Sequence, residues 1–196
     1  QGKAATLANM AWLARSQGDL GQARTLYLQS ARALVAIRAW LDLTTVLWNL
    51  GALGEGDSLI GLALTTAMSA PVRDPGLLSR IHSMRALALN WRYRFGEAVT
   101  EYNRALAFSV EAKEPMRTAQ LHGALATTFI GVGQADSALA HARLEVEMAR
   151  RLYAPDHASL ATALGDLAEA LRNLERYPEA IALQQEAVAI LRGIVG

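Results

Sequence analysis

The feature that most constrains this chain is a two-helix pattern that recurs along its length. It is clearest near the C-terminal end, where Leu160, Leu164, Leu167, Leu171 and Leu174 step by four and three, as one face of a helix requires. After Glu175-Arg176-Tyr177-Pro178 a second stripe follows, made of Ala180, Leu183, Ala187, Ile190 and Ile194. Pro178 suits the first turn of that second helix, where a missing N–H costs nothing. Two amphipathic helices joined by a few residues make a hairpin. Aligning the small residue that opens each second helix lays the same hairpin over the rest of the chain: Ala23, Ala63, Ala98, Ala138 and Ala180 fall in register, 40, 35, 40 and 42 residues apart. Turn-forming residues precede four of them, at Gln17-Gly18-Asp19-Leu20, Glu55-Gly56-Asp57, Arg94-Phe95-Gly96-Glu97 and Gly131-Val132-Gly133-Gln134. Pro75, Pro115 and Pro155 bar continuation of the helices between hairpins.

Composition supports helices throughout. Of 196 residues 38 are Ala and 31 are Leu, against 9 Val and 7 Ile, so strand formers are scarce. Arg38 and Asp42 interrupt the most apolar stretch, so no segment is long enough to cross a bilayer and no membrane insertion is expected. A net charge of +1 gives no pull toward nucleic acid. The interleaved stretch Trp91-Arg92-Tyr93-Arg94-Phe95 lies outside any basic face, and no nucleic-acid partner is expected. Absence of Cys excludes disulfides, thiolate metal sites and cysteine nucleophiles. Neither a Gly-rich phosphate loop nor a Gly-x-Ser-x-Gly elbow is present, and Asp166 and Glu169 sit with Arg172 as an ion pair, so no enzyme and no cofactor are expected. His82, His122, His141 and His157 include no i, i+4 pair and read as structural, with no metal site.

Two segments carry a family resemblance. Leu47-x-x-Leu50-Gly51 followed by Ala63, Ala67 and Pro75, and Ala98-x-x-x-Tyr102-x-x-Ala105-Leu106, resemble tetratricopeptide repeats. The fifth copy, Ala154-Pro155-Asp156-His157 through Tyr177-Pro178-Glu179-Ala180, is similar to the longer repeats of kinesin light chains and many bacterial regulators. The resemblance extends over essentially the whole chain. It implies an all-α fold, a right-handed α-α superhelix or α-solenoid of about five antiparallel helix hairpins, with repeats near 4–38, 44–73, 77–111, 116–153 and 157–194 in a single array. Ala11 and Ser30 in the first copy, and Arg85 and Tyr93 in the third, depart from the family pattern. The opening Gln1-Gly2-Lys3 and a final helix without a polar outer face point to a fragment of a longer chain whose ends self-associate weakly. Richness in Ala and Arg accords with a bacterial source, and a cytoplasmic location is expected.

As the resemblance implies, first helices line the concave surface. Residues opposite each packing stripe then face a groove: Asn9 and Trp12 in the first copy, Trp48 and Asn49 in the second, Arg80, Met84, Asn90 and Trp91 in the third, and Arg172 and Asn173 in the fifth. Aromatic side chains in a concavity mark binding surfaces, and a carboxamide pairs with a peptide unit through one acceptor and two donors. The expected function is an interaction scaffold that binds a protein or peptide in this groove. The alternative is a sensor arm for a small ligand or signalling peptide, controlling an attached effector domain.

Overall fold

Five helices in this protein end in the same way. The computed structural model describes residues 20–70 and 73–195. Among these residues lie eight helices: α1 Leu20–Asn49, α2 Leu53–Ser69, α3 Pro75–Trp91, α4 Phe95–Glu111, α5 Pro115–Val132, α6 Ala135–Leu152, α7 Ala158–Asn173 and α8 Tyr177–Val195. After α1, α3, α4, α5 and α7 the backbone passes through one residue of positive φ, namely Gly51, Tyr93, Lys113, Gly133 and Glu175. Its N–H donates to the carbonyl three residues back and the next N–H to the carbonyl five back, as in Gly133 to Ile130 and Gln134 to Phe129, both at 2.9 Å. Two carbonyls that the helix end would leave unpaired are thereby satisfied.

The same turn also starts the next helix. The carbonyls of Ala52, Arg94, Glu114, Gln134 and Arg176 accept from the N–H groups of Gly56, Ala98, Thr118, Ala138 and Ala180. All five donors are buried, because so short a turn brings two helices into contact there and leaves room only for small side chains. Glycine adopts positive φ freely, whereas Tyr93, Lys113 and Glu175 each carry a strain of about 1–2 kcal/mol. Glu175 is exposed. Replacing it with glycine is therefore expected to raise the stability of the second half of the chain by about 1 kcal/mol, read as a higher urea midpoint. An unchanged or lower midpoint would mean that its side chain compensates for the strain.

The turns correct the sequence alignment in two places. In the second copy the turn is Leu50-Gly51-Ala52, and Glu55-Gly56-Asp57 lies inside α2. Gly56, not Ala63, is thus the counterpart of Ala98, Ala138 and Ala180, and the spacing becomes 42, 40 and 42. Two glycines within three residues look like a turn by composition, but packing against α1 holds them in the helix. Second, α1 runs for 30 residues straight through the boundary expected between 38 and 44. No Pro or Gly stands between Gln22 and Asn49, so nothing stops the helix. The first expected turn, Gln17 to Asp19, lies outside the described residues.

The chain divides after Arg85 into two compact units. In the first, α1 packs on α2, and Ile37, Leu41, Ile60, Ala63, Ala67, Leu77, Leu78 and Ile81 are buried. Asp74 caps α3, its Oδ1 accepting from the Leu77 N–H at 3.0 Å. In the second, α4 to α8 pack each on the next, and α5 also touches α7. Its core is contributed by both helices of every hairpin, with Leu125 and Leu164 fully buried. Each such leucine contributes roughly 1.5–3 kcal/mol through burial. His157 caps α7 by accepting from the Ser159 N–H at 3.0 Å, and its ring stacks on Tyr153 with centroids 4.5 Å apart. No helix among the described residues is long and apolar enough to cross a membrane.

Candidate functional site

In the second unit, α5 lies against α7 more closely than α6 lies against α8. The first helices α5 and α7 thus share one side of the unit. Gln120 and Thr127 of α5, and Thr162 and Asn173 of α7, are exposed residues of these two helices. At the end of α3, Trp91 is 47% exposed. Asn90 is tied inward, its Nδ2 donating to Thr128 Oγ1 at 2.8 Å, while its Oδ1 is buried with no partner. Arg172 is exposed and forks onto Glu169, and the Asn173 amide donates to the Glu169 carbonyl at 2.8 Å. The ion pair expected between Glu169 and Arg172 is therefore present, and it holds Glu169 below the usual carboxylate range.

The first unit holds Asn49, Arg80 and Met84. Asn49 is exposed, Met84 is half-buried, and Arg80 reaches Asp42 at 3.6 Å. Trp48 requires a correction: it is only 7% exposed and belongs to the core, not to a groove. The inward face of α1 runs Ile37, Leu41, Thr44, Trp48, and Leu50, just past its end, points outward at 76% exposure. The indole rests on Gly56, where an added Cβ would lie 2.5 Å from its Nε1. Asn9 and Trp12 lie outside the described residues.

Two polar pairs in the second unit were not foreseen from the sequence. Glu145 of α6 is 7% exposed and lies near Asp166 of α7. Burial, and then the neighbouring Asp166 carboxylate, push Glu145 up to about 8. Across α5 and α6, the Nδ1 atoms of His122 and His141 meet at 2.9 Å, with Phe129 stacked on His141. Burial lowers both imidazoles, and the proximity of His141 lowers His122 further, so both rings are neutral at pH 7. Spacing along one helix could not reveal either pair, since each bridges two helices. Elsewhere, a hollow of about 360 Å³ is lined by Arg143, Val146, Glu147, Arg150, Arg151 and Leu167. Two of its arginines are already engaged, Arg151 with Glu147 at 2.6 Å and Arg150 with Glu186 at 3.4 Å.

Residues 117–193, from α5 to α8, match the tetratricopeptide repeat family model. These residues are tetratricopeptide repeats. Solved structures with the same repeat fold extend the likeness over most of the chain. BtubC (BKLC) from P. vanneervenii is 21% identical, with a TM-score of 0.70 over 86% of this chain and 74% of its own. Aspartyl phosphate phosphatase F from Bacillus subtilis is 14% identical, with a TM-score of 0.70 over 84% of this chain; the chain spans 42% of that protein. A putative kinesin light chain from Podosopora anserina, with nearly identical TPR-like repeats, is 16% identical, with a TM-score of 0.68 over 97% of this chain and 96% of its own. No curated protein matches the chain in sequence.

The repeats share a register set by their left-handed turns. Twelve residues after Gly51, Tyr93 and Glu175 stand Ala63, Ala105 and Ala187, all buried. Twelve residues after Gly133 stands Glu145. The α5–α6 repeat therefore places a carboxyl group where the others place a methyl. It fits because α5 carries Gly123 opposite, where an added Cβ would come within 2.5 Å of Glu145 Oε1.

Proposed function

We propose that the protein is an interaction scaffold, and that the concave side of its second unit binds an extended peptide or partner helix. The closer approach of α5 to α7 than of α6 to α8 supports this reading, because first helices packed closer than second helices curve an array toward their own side. Trp91 offers exposed aromatic area at the end of α3, and the amides of Gln120 and Asn173 offer donors and acceptors on α5 and α7. Asn90 keeps a buried carbonyl oxygen available. Asn49, Arg80 and Met84 are the candidate contacts of the first unit taken by itself. Binding of proteins in the cytoplasm, without catalysis, nucleic acid or membrane insertion, belongs to the same reading, as does weak self-association through the outer face of α8, where Ile181, Val188 and Leu191 are 44–54% exposed.

Phage display of random peptides on the immobilised protein tests it. Selected peptides are expected to bind the wild type at micromolar affinity and to lose about tenfold or more in a Trp91→Ala, Asn173→Ala double variant. Selection of no peptide, or peptides indifferent to both substitutions, would remove the concave face as the site.

A further inference from the structure

Two imidazoles meet between α5 and α6 at positions where the next repeat packs leucines. Counted from the left-handed turns, His122 and His141 stand eleven residues before and eight after Gly133, as Leu164 and Leu183 do about Glu175. Those two leucines share one apolar cluster. The same positions hold Trp40 and Leu59 in the α1–α2 repeat, and His82 and Glu101 in the α3–α4 repeat. In α5–α6 the two Nδ1 atoms lie 2.9 Å apart, so one keeps its hydrogen and donates while the other accepts through its lone pair. Both rings are half-buried, and neither Nε2 is buried without a partner, so water reaches the outer nitrogen of each. Phe129 of α5 lies over His141, with centroids 5.4 Å apart and planes 18° from parallel. Of the charged groups on these and the neighbouring helices, Glu101 and Arg104 of α4 pair with each other at 2.6 Å, Glu169 and Arg172 of α7 also pair, and Glu145 and Asp166 act on one another. None of the six shifts either imidazole; the only charge felt by His122 is that of His141.

We propose that the His122–His141 pair is an acid-operated latch on the α5–α6 hairpin, one that holds through a first proton and parts on a second. The first proton enters at the outer Nε2 of the donor ring. His141 is that ring, because the face of Phe129 attracts an imidazolium. Its Nδ1–H then donates with the help of a full charge, and the bond to His122 tightens. A second proton can go only to Nδ1 of His122, since the accepting tautomer already carries hydrogen on Nε2. Both facing nitrogens are then protonated, the bond is lost, and two like charges stand together in a half-buried site. Separation of α5 from α6 relieves both. Burial already holds the two imidazoles below their ordinary value, so the stability they contribute is complete above about pH 6.5 and is lost as pH falls through their folded values. The α7–α8 repeat, with leucines in the same places, has no such latch. The inference does not depend on what the array binds.

Two measurements on the intact chain test it. Long-range ¹H–¹⁵N NMR of the imidazole nitrogens, followed from mildly alkaline to acidic pH, should show His141 protonating first and His122 at a pH at least about one unit lower, as coupled sites do. Hydrogen exchange, corrected for the intrinsic effect of pH, should show the amides of α5 and α6 losing protection as His122 titrates. In a His122→Leu, His141→Leu double variant, which installs the residues of the α7–α8 repeat, that loss should be smaller by about tenfold or more, the equivalent of one unit of proton affinity. Glu145 and Asp166 are present in both proteins, so their own titration cancels in the comparison. Rings that protonate together near the ordinary histidine value, or in the opposite order, would overturn the latch, and so would equal loss of protection in the double variant. The NMR titration needs only the wild type and decides the matter by itself where the double variant does not fold.

Discussion

Trp48→Ala is expected to destabilise the first unit by roughly 3–5 kcal/mol, the usual cost of emptying a buried aromatic site. Because Gly56 has no side chain to move into the gap, the cavity cannot collapse from the α2 side. Whole-domain stabilities lie at about 5–15 kcal/mol, so a loss of this size brings the first unit close to unfolding at physiological temperature. Thermal circular dichroism should show an earlier transition, and hydrogen exchange should place it in α1 and α2. Trp91→Ala, which removes a side chain already 47% exposed, is expected to cost about 1 kcal/mol or less. Similar melting of both variants would mean that Trp48 faces solvent after all.

Glu145→Gln is expected to make the second unit more stable than the wild type, by an amount that grows with pH. In the folded state Glu145 and Asp166 are both raised above their ordinary values, chiefly by burial. A raised carboxyl group favours the folded state fully only below its unfolded value, and that advantage is lost as pH rises toward the folded value. The wild type should therefore lose stability from near pH 5 through neutrality relative to Glu145→Gln, whose amide stays neutral. Because a tenfold change in proton affinity corresponds to about 1.4 kcal/mol, the gap should reach roughly 2–4 kcal/mol on the alkaline side. His122 and His141 act in the opposite sense, since both are lowered and their contribution is lost on acidification below about pH 6.5. The difference between the two proteins removes this shared background. Urea midpoints at acidic, neutral and mildly alkaline pH measure it, and a constant difference across that range would show that Glu145 is ionised throughout.

Helices and their hairpin pairing were legible in the sequence wherever a stripe of period near 3.6 met a turn. Pro178 and Ala180 mark the start of α8, and the run from Leu160 to Leu174 is the inward face of α7 apart from half-buried Leu167 and Leu174. Ala98, Ala138 and Ala180 are buried as expected, because a short hairpin leaves space only for a small side chain at that point. Where turn-like composition and helical packing compete, sequence reasoning went astray. Gly54 and Gly56 look like a chain reversal, yet the indole of Trp48 needs the bare Cα of Gly56, and contact with α1 outweighs the low intrinsic helix propensity of glycine. Choosing Ala63 as the register residue also hid the anomaly at Glu145, since Ala63, Ala105 and Ala187 are its counterparts only once Gly51, Tyr93, Gly133 and Glu175 are superposed.

The sequence by itself determined an all-helical array of hairpins, because hydrophobic period, small residues at the bends and proline stops are local signals that any helix must obey. Tertiary structure alone decided which face of α1 turns inward, that Trp48 belongs to the core, and that Glu145 meets Asp166 and His122 meets His141. These depend on rotation about a helix axis and on contacts between residues 19 to 21 positions apart, and one step of helical phase, about 100° per residue, exchanges a buried side chain for an exposed one.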